Sequence, residues 1–132
     1  MNDCTIYDSV GKLIRTVSCP QSMLYAQKQQ GEFIVFGKAN PATDWVNQGE
    51  IQNRQPQLTE LDKQLLSADG IDVIHIINAP NGTFKAINID TLDTVTGNIN
   101  GADTFSTTIL GDHTITIMSW PYLDFTTTIK AI

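Results

Sequence analysis

The sequence predicts a mostly β fold of the α+β class, with a small N-terminal β-α-β-β module over residues 1–57 and an antiparallel β-sandwich over residues 58–132. Three observations predict it. Composition breaks near residue 67: all nine Gln lie between Gln21 and Gln64, no Glu follows Glu60, and Thr and Ile each number four before the break and twelve after it. Such β-branched enrichment favours strands. The later half is a series of short alternating runs separated by Gly, Asn and Asp, the pattern of a sandwich. The earlier half carries a hairpin pattern, one helix-start signal and two further strand-like runs.

Taking the elements in order, CTIYDSVGKLIRTV reads as a hairpin with Gly11 in its turn and Ile6, Leu13 and Ile14 available for burial. Ser18-Cys19-Pro20-Gln21 matches a capping box: Ser18 can accept from the third amide, Gln21 can reach back, and Pro20 sits where its missing N–H costs nothing. This predicts a helix of about three turns ending at Gly31. EFIVFG follows as a short buried strand, Asn40-Pro41-Ala42-Thr43 as a turn, and DWVNQGEIQNR as a second hairpin about Gly49. Gln55-Pro56-Gln57 closes the module.

In the second half, Leu58, Leu61 and Leu65 recur at helical spacing, yet residues 63–67 before Ala68-Asp69-Gly70 also suit a first strand and turn, and the strand is favoured. IDVIHIIN is the next strand, and Pro80-Asn81-Gly82 turns the chain into TFKAINI. Gly97, Asn98, Asn100 and Gly101 mark further turns, TFSTTIL follows, and Gly111-Asp112 leads into HTITIM. There Ile115 and Ile117 share one face and Thr114 and Thr116 the other, as on a half-buried antiparallel strand. FTTTIKAI closes the chain.

Charge narrows the partners. Net charge is -6, about -1 before the break and about -5 after it. That argues against nucleic acid and against anionic membrane surfaces. MNDCTIYDS lacks a basic region followed by an apolar run, and no stretch approaches the roughly 20 apolar residues of a membrane span, so a soluble protein without an encoded secretion route is expected. A hairpin turning at residues 8–11 sets Cys4 opposite a residue near Arg15 or Thr16, with Cys19 beyond it. Two free thiols are expected, since a disulfide needs Cα atoms within about 7 Å.

SWPYLDF, Ser119 to Phe125, lies between the last two strands. Pro121 cannot donate to a ladder and should end the pairing. The cluster of Trp120, Tyr122 and Phe125 then has two readings: a plug for the open end of the core, or an anchor for a partner.

No catalytic motif, phosphate-binding loop or dinucleotide fingerprint is present, so no enzyme and no cofactor is predicted. His75 and His113 are the only histidines. His75 is expected within the core and His113 in solvent at a strand entrance, neither as a metal ligand. Asp90, Asp93, Asn98, Asn100 and Asp103 supply oxygens within a short span, but they do not fit the calcium-loop pattern and Asp and Asn are ordinary turn formers. No metal is predicted.

YDSVGKLIR followed by GEFIVFGKANPATDWVNQGEIQNRQP resembles a short module of tail and tail-fibre-associated proteins of tailed bacteriophages, in which a polar V-x-x-G-x-I-x-x-R-x-P segment closes the unit. Here that pattern is Val46, Gly49, Ile51, Arg54 and Pro56. The stretch from LLSADGIDVIHIINAP to WPYLDF is similar to bacterial immunoglobulin-like domains appended to phage surface proteins: Val73, Ile74 and Pro80 match the first strands and Trp120-Pro121-Tyr122 the last corner. The N-terminal half lacks the repeats of a fibre shaft. The resemblance implies an immunoglobulin-like sandwich and a non-enzymatic structural protein of the virion, made in the host cytoplasm. It would be a tail-associated adaptor binding neighbouring virion subunits and copies of itself. The alternatives are a capsid decoration protein or a tail assembly chaperone. Trp45, Val46 and Arg54 in the first half, and Trp120 and Tyr122 in the second, are the expected interface residues.

Overall fold

Strands dominate the computed structural model, which describes residues 2–132. The chain divides into two compact units, Met1–Gln55 and Pro56–Ile132. Among the described residues no helix is long and apolar enough to cross a membrane.

In the first unit, β1 (Asn2–Tyr7) and β2 (Leu13–Cys19) form the expected hairpin. Its turn is held by Asp8, whose carboxylate Oδ1 accepts from the amides of Val10 and Lys12 at 3.0 and 2.9 Å. Gly11 has φ +81°, and its carbonyl accepts from the Val46 amide at 2.9 Å. A Cβ at residue 11 would meet the Val46 carbonyl oxygen at 2.0 Å, so only glycine fits. β3 (Phe33–Phe36) pairs with the other side of β1, giving the antiparallel order β2-β1-β3. β4 (Asp44–Asn47) and β5 (Glu50–Asn53) make a separate hairpin whose turn residues, Gln48 and Gly49, both have positive φ. That geometry suits a tight two-residue hairpin.

The expected helix before Gly31 is replaced by two single 3₁₀ turns, Gln21–Met23 and Tyr25–Gln27. The hairpin overrides the cap: β2 continues to Cys19, Ser18 lies opposite Asp3, and its Oγ donates to the Asp3 carboxylate. Nor is there an apolar stripe to hold a helix, because Leu24 is buried while Met23 and Tyr25 face solvent. Leu24 joins Cys4 and Cys19 in a small core with Val17 and Ile34 at its margin. A bulge between Ile6 and Tyr7 sets Cys4 opposite Val17, beyond the expected Arg15 or Thr16, and both cysteines are free thiols.

The second unit has two sheets. β8 (Ile74–Ile77) is flanked by β6 (Glu60–Leu61) and β11 (Asp103–Phe105). The larger sheet contains β7 (Leu65–Leu66), β9 (Gly82–Asn88), β10 (Thr94–Ile99), β12 (Gly111–Met118) and β13 (Phe125–Ala131), in the order β10-β9-β12-β13-β7. Ile74, Ile76 and Phe105 from the first sheet and Phe84, Ala86, Ile115, Ile117 and Ile129 from the second enter one buried cluster. The alternation in HTITIM is realised: Ile115 and Ile117 are fully buried, Thr114 and Thr116 half-buried.

Two runs depart from expectation. Residues 63–67 do contribute a strand, but β7 pairs with β13 in parallel, through Leu65 and Leu66. TFSTTIL pairs only as far as Phe105, after which the chain leaves the sheet.

Candidate functional site

The corner at SWPYLDF is built by the strands on either side of it. Pairing of β12 with β13 ends at Ile117 and Phe125, as a proline between them requires. The Trp120–Pro121 peptide bond is cis, and the Tyr122 amide donates to the Ser119 carbonyl at 2.7 Å. Ser119 is buried and its hydroxyl donates to the Asn81 carbonyl. Gln57 braces the corner from the start of the unit: its Nε2 donates to the carbonyls of Ile117 and Leu123 at 2.8 and 3.0 Å, while its Oε1 accepts from Thr59 Oγ1. Nothing in the sequence marked Gln57, because the partners lie sixty or more residues away.

Phe125 packs against the buried cluster, so part of the aromatic corner does serve as a plug. Trp120 is half-buried and Tyr122 is 38% exposed. In the first unit, Trp45 and Arg54 are half-buried. Val46 is 3% exposed, so its side chain belongs to the interior of that unit rather than to its surface. Trp45 lines a cleft of about 320 Å³ with Tyr7, Phe33 and the two turns at residues 8–11 and 47–49. A larger cleft of about 550 Å³ lies beside β2, between Leu13–Thr16 and Lys38–Pro41.

Several ionisable groups are committed to structure. Arg15 holds Glu32 through both terminal guanidinium nitrogens, at 3.0 and 2.8 Å. That contact and the Gln29 amide hold the Glu32 carboxyl below its ordinary range. Asp62 is lowered by the His75 backbone amide and then by the His75 ring, at 2.8 and 2.9 Å. Asp72 is lowered first by Lys63 and then by the Ser67 amide, and Asp69 by the amides of Asp72 and Ile71. The Asp103 carboxylate accepts from the Asn100 and Gly101 amides. The Asp93 carboxylate accepts from the Thr91 hydroxyl. Among the described residues no group of three or more His, Cys, Asp or Glu is placed to hold a metal ion.

The two histidines exchange the environments expected of them. His75 is exposed and pairs with Asp62, because in β8 it is Ile74 and Ile76 that face the core. His113 is 3% exposed, since it shares the inward face of β12 with Ile115 and Ile117. A period-2 count back from Ile115 carries that signal. No protein-family model, curated protein sequence or solved structure matches this chain.

Proposed function

We propose that this chain is a non-enzymatic structural protein of a tailed-phage particle, a tail-associated adaptor that binds neighbouring virion subunits. Its second unit is read as an immunoglobulin-like sandwich. Strand order supports that reading: three strands and five strands share one core, and the chain's entry is split, with β6 on one sheet and β7 beside the last strand of the other. The observation that carries the adaptor reading is the SWPYLDF corner. Gln57 and Ser119 hold it from within, while Tyr122 remains exposed beside Trp120 and Pro121. A rigid aromatic on a braced corner suits an interface centre, because little side-chain freedom is lost on binding. Trp45, which lines its cleft, and Arg54 are the corresponding candidates on the first unit.

The test is electron microscopy of particles of the phage that encodes this chain, labelled with an antibody against it, with mass spectrometry of the same preparation. Label on the tail is expected. Label over the capsid would replace the adaptor with a decoration protein. Expression in infected cells with absence from purified particles would point to an assembly chaperone.

A further inference from the structure

We propose that β10 is a dimerisation edge, on which two copies of this chain pair their Thr94–Ile99 strands antiparallel about a two-fold axis through Thr96. β10 is the free edge of the larger sheet, bonded to β9 alone. Natural sheets protect long edges with charges, prolines, bulges or brevity. The opposite edge of this sheet, β7, is two residues long, and the smaller sheet ends in strands of two and three residues. In the first unit the long edge strand β2 carries Arg15. β10 has six residues, TVTGNI, with no charge, no proline and an unbroken register against β9, and residues 94–98 are all exposed.

The register identifies which backbone groups face outward. The Asn88 amide donates to the Asp93 carbonyl at 2.9 Å, so pairs at that phase, Val95 with Ala86 and Gly97 with Phe84, hold the β9 hydrogen bonds. Thr94, Thr96 and Asn98 therefore turn their N–H and C=O groups away from the sheet.

A second copy is the occupant that this edge fits. With Thr96 opposite itself, Thr94 meets Asn98 on both sides, and three hydrogen-bonded pairs form with neutral polar side chains on the outer face. Between them Val95 falls opposite Gly97 of the other copy, in the closer kind of antiparallel pair. Val95 is 57% exposed, and a Cβ at Gly97 would find nothing within 4 Å, so the branched side chain enters open space. Two-fold symmetry sets residue i against j and j against i with only Thr96 meeting itself, so an edge bearing charges of one sign would repel its own copy. Lys85, the cation paired with Thr96, lies one strand inward from it. Two copies of Lys85 would be about 14 Å apart across the dimer, beyond the screening length at physiological salt.

The interface is one strand wide, so the dimer is weak and concentration-dependent. Sedimentation velocity of the purified chain over about a hundredfold range of concentration is expected to show a monomer–dimer equilibrium. Thr96→Lys places two ammonium groups on the axis, and Thr96→Pro removes an outward N–H that β9 does not use. Each should abolish the dimer while leaving circular dichroism and the melting temperature near those of the parent. Thr96→Val, which keeps the backbone pairing, should retain it. A monomer at every concentration, or a dimer that survives both Lys and Pro, overturns the proposal. The adaptor reading supplies the several copies. Its failure would appear as absence from particles, whereas failure of the edge would appear in the isolated chain.

Discussion

The ring Nε2 of His113 lies 3.3 Å from the amide Nδ2 of Asn88, with both side chains shut away from water. The same Asn88 nitrogen donates to the Leu110 carbonyl at 3.1 Å, and its Oδ1 accepts from the amides of Asp90 and Thr91. His113 Nδ1 faces the Gly111 carbonyl at 3.2 Å, which can only accept, so Nδ1 carries the proton and Nε2 receives the Asn88 hydrogen. One buried amide thus ties the β9–β10 turn to the entrance of β12. Asn88→Ala leaves the buried His113 ring nitrogen without its donor and frees two turn amides of exposed residues to water, and the buried nitrogen alone should cost about 1–3 kcal/mol. Urea denaturation of the variant should show it, with the midpoint lowered and the slope unchanged.

Ile115 and Ile117 are fully buried at the centre of the second unit's core. Truncating either to Ala leaves a cavity as well as losing transfer energy, and should cost about 2–5 kcal/mol. Ile132, 59% exposed at the chain end, is the control: its change to Ala should fall within about 0.5 kcal/mol. Parallel denaturation curves of the three variants check the contrast.

Gly11 and Gly49 share φ +81° but not their surroundings. Gly49→Asn meets open space and a conformation that Asn tolerates, so the first unit should keep its stability to within about 1 kcal/mol. Gly11→Ala drives a Cβ into the Val46 carbonyl and should cost more than the roughly 1 kcal/mol of a simple glycine replacement. Amide exchange at Val46, whose N–H donates to Gly11, should accelerate in the Gly11 variant and not in the Gly49 variant.

Glu32, Asp62, Asp69 and Asp72 all have depressed carboxyl pKa values, caused by Arg15, by the His75 amide, by turn amides and by Lys63 respectively. A depressed acid stabilises the fold above its unfolded pKa, and that contribution is lost as pH falls toward the folded value. Melting temperature should therefore be flat near neutrality and fall below about pH 5. Arg15→Gln should flatten the part of the acid loss that belongs to Glu32. A melting temperature that rises on acidification would contradict the assignment.

The Cys4 thiol is pushed up by burial, and next by the nearby Cys19 and Asp3. A raised thiol with no access to solvent is a poor nucleophile. Neither cysteine should react with a thiol reagent in the native protein at pH 8, and both should react once it is unfolded. Rapid labelling of native Cys4 would contradict its place in the interior.

What the sequence determined by itself was local: alternation in HTITIM, turn residues at Gly11 and Gly49, and a proline that ends a ladder. Each depends on neighbours only a few residues away. The tertiary structure decided what depends on distant partners. The Ser18 cap yielded to a ladder position opposite Asp3, because a seven-residue strand gains more pairing than one capped turn. Leu65 and Leu66 became the partners of a strand at the far end of the chain, an alignment that no local period encodes. The histidines exchanged places because one residue of phase on a strand decides between core and solvent. Val46 reads in sequence like its neighbour Trp45, yet the Gly11 carbonyl it bonds and the core it enters exist only once the two hairpins have met.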